Sequence, residues 1–211
     1  YDGRQVWYQG AWVGESTWSD YYIAGFDAVD GVETVDLNAD TVQGGTLYVT
    51  GEAGARTQVL NGTLDFAALE LQGTRLELGS GTTANISVVN AAGETLTVQS
   101  DAVLTVDDAL VVDTLALDGT ANLKNAEISS ISGTKGSLSI AADGVVTVGS
   151  DVVLTVFRNE GSLNLTGHDL TVEAYVGQGG NVTADEVTVK SQASMAATFD
   201  VLVAEKVTVS N

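Results

Sequence analysis

One short pattern returns along this chain: an apolar residue, a Thr, Ser, Asp, Glu or Asn, then another apolar residue. It reads Thr-Leu-Tyr-Val at 46–49, Arg-Leu-Glu-Leu at 75–78, Thr-Leu-Thr-Val at 95–98, and Val-Leu-Thr-Val at 103–106 and 153–156. Further copies are Ser-Leu-Asn-Leu at 162–165, Asp-Leu-Thr-Val at 169–172, Glu-Val-Thr-Val at 186–189 and Lys-Val-Thr-Val at 206–209. Alternation with a period of two places successive side chains on opposite faces of a strand and buries one of them. Gly, Asn and Asp fill the intervals as turn residues. The chain must therefore fold from many very short strands.

About twenty such cores lie between Leu47 and Val207. At that spacing a sandwich or up-and-down barrel competes with a solenoid. Strands this brief bury little unless stacked on similar strands above and below, and close self-similarity at a short period marks a stacked array. Tight pairs at Leu110/Leu115, Leu123/Ile128, Val182/Val187 and Leu202/Val207 group the cores into coils. The pattern predicts coils of roughly 20–23 residues, about seven in number, rising roughly 4.8 Å each. A buried aliphatic contributes roughly 1.5–3 kcal/mol against about 1–2 kcal/mol of backbone ordering per residue, so a coil is stable only when stacked. A parallel β-helix is the expected architecture.

The chain has neither Cys nor Pro. Without Cys there is no disulfide framework and no thiolate metal site, which suits passage through an oxidising compartment. Without Pro every residue can donate to a ladder. No apolar run is long enough to span a bilayer, so direct membrane insertion of this segment is not expected. The segment starts at Tyr1 without a signal peptide and stops on Val-Thr-Val-Ser-Asn, so both ends read as cuts in a longer precursor. Twenty-eight acids against eight bases, a formal charge of −20, oppose binding to nucleic acid, anionic membranes or acidic polysaccharide. With no cluster of Arg or Lys in the sequence, the charge reads as a guard against edge-to-edge aggregation.

Residues 1–40 differ from the rest. Of thirteen aromatics, eight fall within the first 26 residues, including all three tryptophans. A solenoid's first coil exposes an apolar cross-section that a terminal unit must cover, and Trp and Tyr cover area while keeping a polar handle. The expected organisation is an aromatic-rich N-terminal cap at 1–40 followed by coils over 41–211. Trp12, Trp18, Tyr21 and Tyr22 double as the best candidate recognition surface, since aromatic faces stack on sugar rings.

Catalytic signatures are sparse. His168, the only histidine, sits in a Thr-Gly-His-Asp turn with no nucleophile elbow nearby, and one His without Cys cannot hold zinc. Asp36, Asn38 and Asp40 open like a calcium loop, but its sixth position is Thr41 and its twelfth is Leu47. They mark a candidate structural calcium site; no other cofactor is expected. Adjacent carboxylates such as Asp107/Asp108 and Asp185/Glu186 point to opposite strand faces, so glycoside hydrolysis would need acids converging from different coils. The sequons at Asn61, Asn85, Asn164 and Asn181 follow from a Thr- and Asn-rich composition. Outward Thr pairs such as Thr95/Thr97 do not recur in a visible register over enough strands to read as an ice-binding face.

The segment Thr-Val-Gln-Gly-Gly-Thr-Leu-Tyr-Val-Thr at 41–50, followed by Gly-Glu-Ala-Gly-Ala, resembles the short repeats of bacterial autotransporter passenger domains of the diffuse-adherence adhesin type. Weaker copies, Gly-Glu-Thr-Leu-Thr-Val at 93–98 and Gly-Ser-Leu-Asn-Leu at 161–165, extend the likeness over 41–209. The resemblance implies a right-handed parallel β-helix on the surface of a Gram-negative cell, with its membrane barrel beyond Asn211. The expected function is adhesion, self-association or display without catalysis. Its expected partners are host or bacterial surface glycans or proteins, or a second copy. A surface-layer component and a polysaccharide-active β-helix enzyme are the competing readings.

Overall fold

The computed structural model describes residues 5–8, 11–13, 21–24, 32–51, 57–133, 135–191 and 198–209. Among them there is no helix; sixteen strands form one continuous sheet wound into a parallel β-solenoid of about 8 turns. Three ladders run along it. The first carries 57–60, 75–78, 95–98 and 114–116. The second carries 63–66, 83–86, 103–106, 120–123, 137–140 and 156–159. The third carries 46–50, 68–72, 88–91, 109–112, 125–128, 145–148 and 162–165. Longer strands such as β5 (Thr57–Gln72), β7 (Thr83–Val98), β8 (Val103–Leu117), β9 (Thr120–Ser132) and β10 (Ser137–Val148) pass through two or three ladders each.

The alternation read from the sequence sets the core. Leu76, Leu96, Leu115 and Ile131 stand in register on the first ladder, all buried. On the third, Val89, Leu110, Ala126, Val146, Leu163 and Val182 do the same. The second alternates large and small, Leu64, Ala84, Leu104, Ala121, Leu138, before closing on Phe157 and Tyr175. Large beside small lets neighbouring coils interdigitate without voids.

The tight pairs are corners: Leu110 belongs to the third ladder and Leu115 to the first, while Leu123 belongs to the second and Ile128 to the third. Coil length departs from the expected 20–23 residues. Sixteen residues separate Ala109 from its register partner Asn125, and twenty-five separate Val32 from Thr57. Ladder strands keep near-constant length, because a slip of one residue would turn the core outward. Corners absorb the variation. At Gly119 the corner is so close to the coil before it that a β-carbon would lie 2.3 Å from the Gln99 carbonyl oxygen.

The N-terminal strands extend the third ladder. Tyr21–Ala24 pair in parallel with Leu47–Thr50, and Gln5–Trp7 pair in parallel with Tyr21–Ile23. Ala11–Val13 fold back antiparallel on Val6–Tyr8. Position 40, the expected limit of the cap, lies within strand β4 (Val32–Thr50), whose 32–36 stretch is already paired to β5.

Candidate functional site

The corner between the second and third ladders changes size from coil to coil. Asp107 and Asp108 turn it in β8, Lys124 alone in β9, residues 141–144 in β10. Glu160 and Gly161 turn it between β11 (Val152–Asn159) and β12 (Ser162–Leu165). A one-residue corner between wider ones makes the surface dip. Asn125 repairs the ladder that the dip interrupts: its Nδ2 donates to the Asp108 carbonyl at 3.0 Å, and its Oδ1 accepts from the Val145 N–H at 3.2 Å.

The dip is an open groove of about 300 Å³ running across four coils. Its floor is an outward row in strict register, Thr105, Asn122, Ser139 and Arg158, with the Asn122 Nδ2 donating to the Thr105 Oγ1 at 3.4 Å. Along its edge lie Asp107, Lys124, Ala141 and Glu160. Lys124 and Arg158 are 34 residues apart in sequence, yet the stack brings both to one cavity. The coiling thus brings to one groove two bases that the sequence holds far apart.

Asp107 and Glu160 line the same groove from corners three coils apart. At roughly 4.8 Å per coil that is about 14 Å along the axis. Paired glycosidase carboxylates stand about 5–9.5 Å apart. Asp185 and Glu186, the other acidic pair, have separate partners: the Asp185 Oδ1 accepts from the Gly167 backbone N–H at 3.1 Å, and the Glu186 carboxylate pairs with the Lys206 ammonium at 2.7 Å.

A second groove of about 420 Å³ follows the corner between the third and first ladders, where one-residue corners at Asp113 and Ser129 lie between wider ones at 92–94 and 149–151. Val111, 37% exposed, lines it. Along the same edge, nearer the C-terminus, carboxylates hold the next coil. Asp151 accepts from the Asp169 N–H at 3.0 Å, and Asp169 accepts from the Glu186 N–H at 3.0 Å. His168 joins this row, its Nδ1 3.5 Å from the Asp151 Oδ1.

The other expected site residues are placed as follows. Trp12 pairs with Trp7 across the antiparallel turn, Tyr21 stands in register with Leu47 and Tyr22 with Tyr48; Trp18 lies outside the described residues, as do the side chains of the other three. Asp36, Asn38 and Asp40 fall in or beside the stretch of β4 where the register to β5 shifts, and their side chains also lie outside the described residues. Among the described residues no group of three or more His, Cys, Asp or Glu is placed to hold a metal. Hydroxyls do share register on the second ladder, through Thr63, Thr83, Thr120 and Ser137, with Val103 interrupting the row. Varying corner lengths conceal that row from the sequence.

Comparison with protein-family models, curated proteins and solved structures finds no match for the chain.

Proposed function

We propose that this chain is an adhesin-like β-solenoid of the autotransporter passenger type, exposed on a bacterial cell surface or secreted. It acts in adhesion, self-association or display, without catalysis, and it binds surface glycans or proteins, or a second copy, along its flank. The observation that carries this reading is the shallow groove across four coils, floored by Thr105, Asn122, Ser139 and Arg158. A row of short polar side chains repeated at the coil spacing suits an extended polymer. The wide separation of Asp107 from Glu160 counts against hydrolysis there. Single contacts of this kind are weak, and many copies on one cell supply the strength through avidity.

The test is saturable binding of the fluorescently labelled chain to Gram-negative cells and to cultured epithelial cells, alongside incubation with neutral glycans. Saturable binding with the glycans intact is the expected result. Absence of binding to either cell type, or glycan cleavage, would remove the proposal.

A further inference from the structure

We infer that the groove at the Lys124 corner is a subsite for a carboxylate-bearing sugar, a uronate within a surface glycan. The inference rests on the flank-binding reading and names its ligand class.

Charge is the first argument. The chain has eight bases against twenty-eight acids; among the described bases elsewhere on the stack, Lys190 pairs with Glu173 at 3.3 Å and Lys206 with Glu186 at 2.7 Å, while Arg75 and Lys135 stand exposed and singly, neither sharing a cavity with a second base. Lys124 and Arg158 are exposed, line one cavity, and among the described residues have no carboxylate within ion-pair reach, although Asp107 and Glu160 line that cavity too. Two cations thus stand open along one groove of a strongly acidic rod, two coils or about 10 Å apart along the axis. The Arg158 guanidinium presents a planar fork that matches a carboxylate, and the Lys124 ammonium adds a point charge further along the same groove.

Chemistry of the floor is the second. Thr105, Asn122 and Ser139 are half-buried and short, leaving room above them while offering hydroxyl and amide groups. Asp107 and Glu160 are acceptors for sugar hydroxyls. A peptide has less to hold it here. The strands under the groove are paired on both sides, so no edge remains for strand addition. No aromatic side chain lines the cavity to anchor an apolar residue.

Isothermal titration of the chain with a tetramer of galacturonic acid, and with the same tetramer reduced at its carboxyls, tests this. The acidic tetramer is expected to bind at least about tenfold tighter than the reduced one. The double variant Lys124→Ala, Arg158→Ala should lose about ten- to a hundredfold for the acidic tetramer, with an unchanged thermal melt because both side chains are exposed. Arg158→Lys should lose part of that, keeping the charge but not the fork. Ser139→Ala should weaken both tetramers alike. Equal affinity for the two tetramers, or a double variant that binds like the parent, would overturn the inference. Cell adherence by a parent chain that shows no preference for the acidic tetramer removes this inference and leaves adhesion standing. Tetramer binding by a chain that adheres to no cell sustains the subsite and removes adhesion.

Discussion

The Asp169 carboxylate accepts the backbone N–H of Glu186, one coil further on, at 3.0 Å, while its own backbone N–H donates to Asp151 at the same distance. Three successive corners are thereby stitched by acids acting as acceptors for main-chain donors. Glu94 does the same for the Gly73 N–H at 2.6 Å. Part of the −20 charge therefore has structural employment. Corners interrupt the ladders and leave N–H groups that need acceptors, and a carboxylate is a strong one.

Asp169→Ala removes that acceptor and should destabilise the chain by about 1–2 kcal/mol. Asp169→Asn keeps an oxygen at the same place and should cost about half as much or less. Urea midpoints of the two variants against the parent check this. Equal losses for Ala and Asn would show that charge, not the hydrogen bond, is what matters at this corner.

Gln58 occupies a core position on the first ladder, in register with Leu76, which itself aligns with Leu96 and Leu115. It is 0% exposed, and neither its Oε1 nor its Nε2 has a hydrogen-bond partner among the described residues. A buried amide without partners costs roughly 1–3 kcal/mol. Gln58→Leu continues the leucine column and should raise stability by about that amount, seen as a higher denaturation midpoint. A lower midpoint would mean the amide is satisfied by a group that the leucine cannot replace.

How much of this was legible in the sequence follows from what the alternation can carry. Leu-Thr-Val and Leu-Asn-Leu words name the inward residue and the outward one in most copies, and the buried columns follow them; at 153–156 the alternation slips, so that Leu154 and Phe157 are buried and Val156 is not, and Val207 near the end of the stack is exposed. Register between coils is different. It depends on corner length, which runs from the single Lys124 to the four residues 141–144, and no local rule in the sequence states which residues are corner and which are ladder. Lys124 and Arg158 therefore look isolated along the chain and meet only when the coils stack. Asn159 was hidden for a similar reason. It follows Phe-Arg as an ordinary polar residue, yet it is fully buried, its Nδ2 donating to the Asn181 carbonyl at 3.0 Å and its Oδ1 accepting from the Gly161 N–H at 3.1 Å.

Gly119 marks a corner where backbone passes over backbone. A β-carbon there would meet the Gln99 oxygen at 2.3 Å and the Ala102 oxygen at 2.5 Å, and neither is the end of a flexible side chain. Gly119→Ala should therefore cost about 1–3 kcal/mol through overpacking. Gly93→Ala is the control for space alone: its β-carbon would meet nothing within 4 Å, although its φ of 79° carries its own backbone cost. Thermal melts should place Gly119→Ala below Gly93→Ala. The reverse order would show that the corner yields easily and that left-handed backbone is the dearer constraint.

Tyr175, 3% exposed, closes the second ladder's inward column with its ring edge-on to Phe157, centroids 5.4 Å apart at 63°. Burial raises the pKa of its hydroxyl above the ordinary tyrosine value, and the Asn159 side chain offsets part of that rise. The folded chain therefore holds this proton where the unfolded chain, near about pH 10, begins to release it. Stability from this source is complete below about pH 10 and is lost as pH climbs through the folded-state value. Tyr175→Phe cannot ionise, so it should differ from the parent by no more than about 1 kcal/mol near neutrality and lose less stability under alkali. Urea midpoints of both proteins at about pH 8 and about pH 11 measure the difference, and subtracting one protein from the other cancels the remaining tyrosines. Parallel curves over that range would mean that the Tyr175 hydroxyl reaches solvent before it loses its proton.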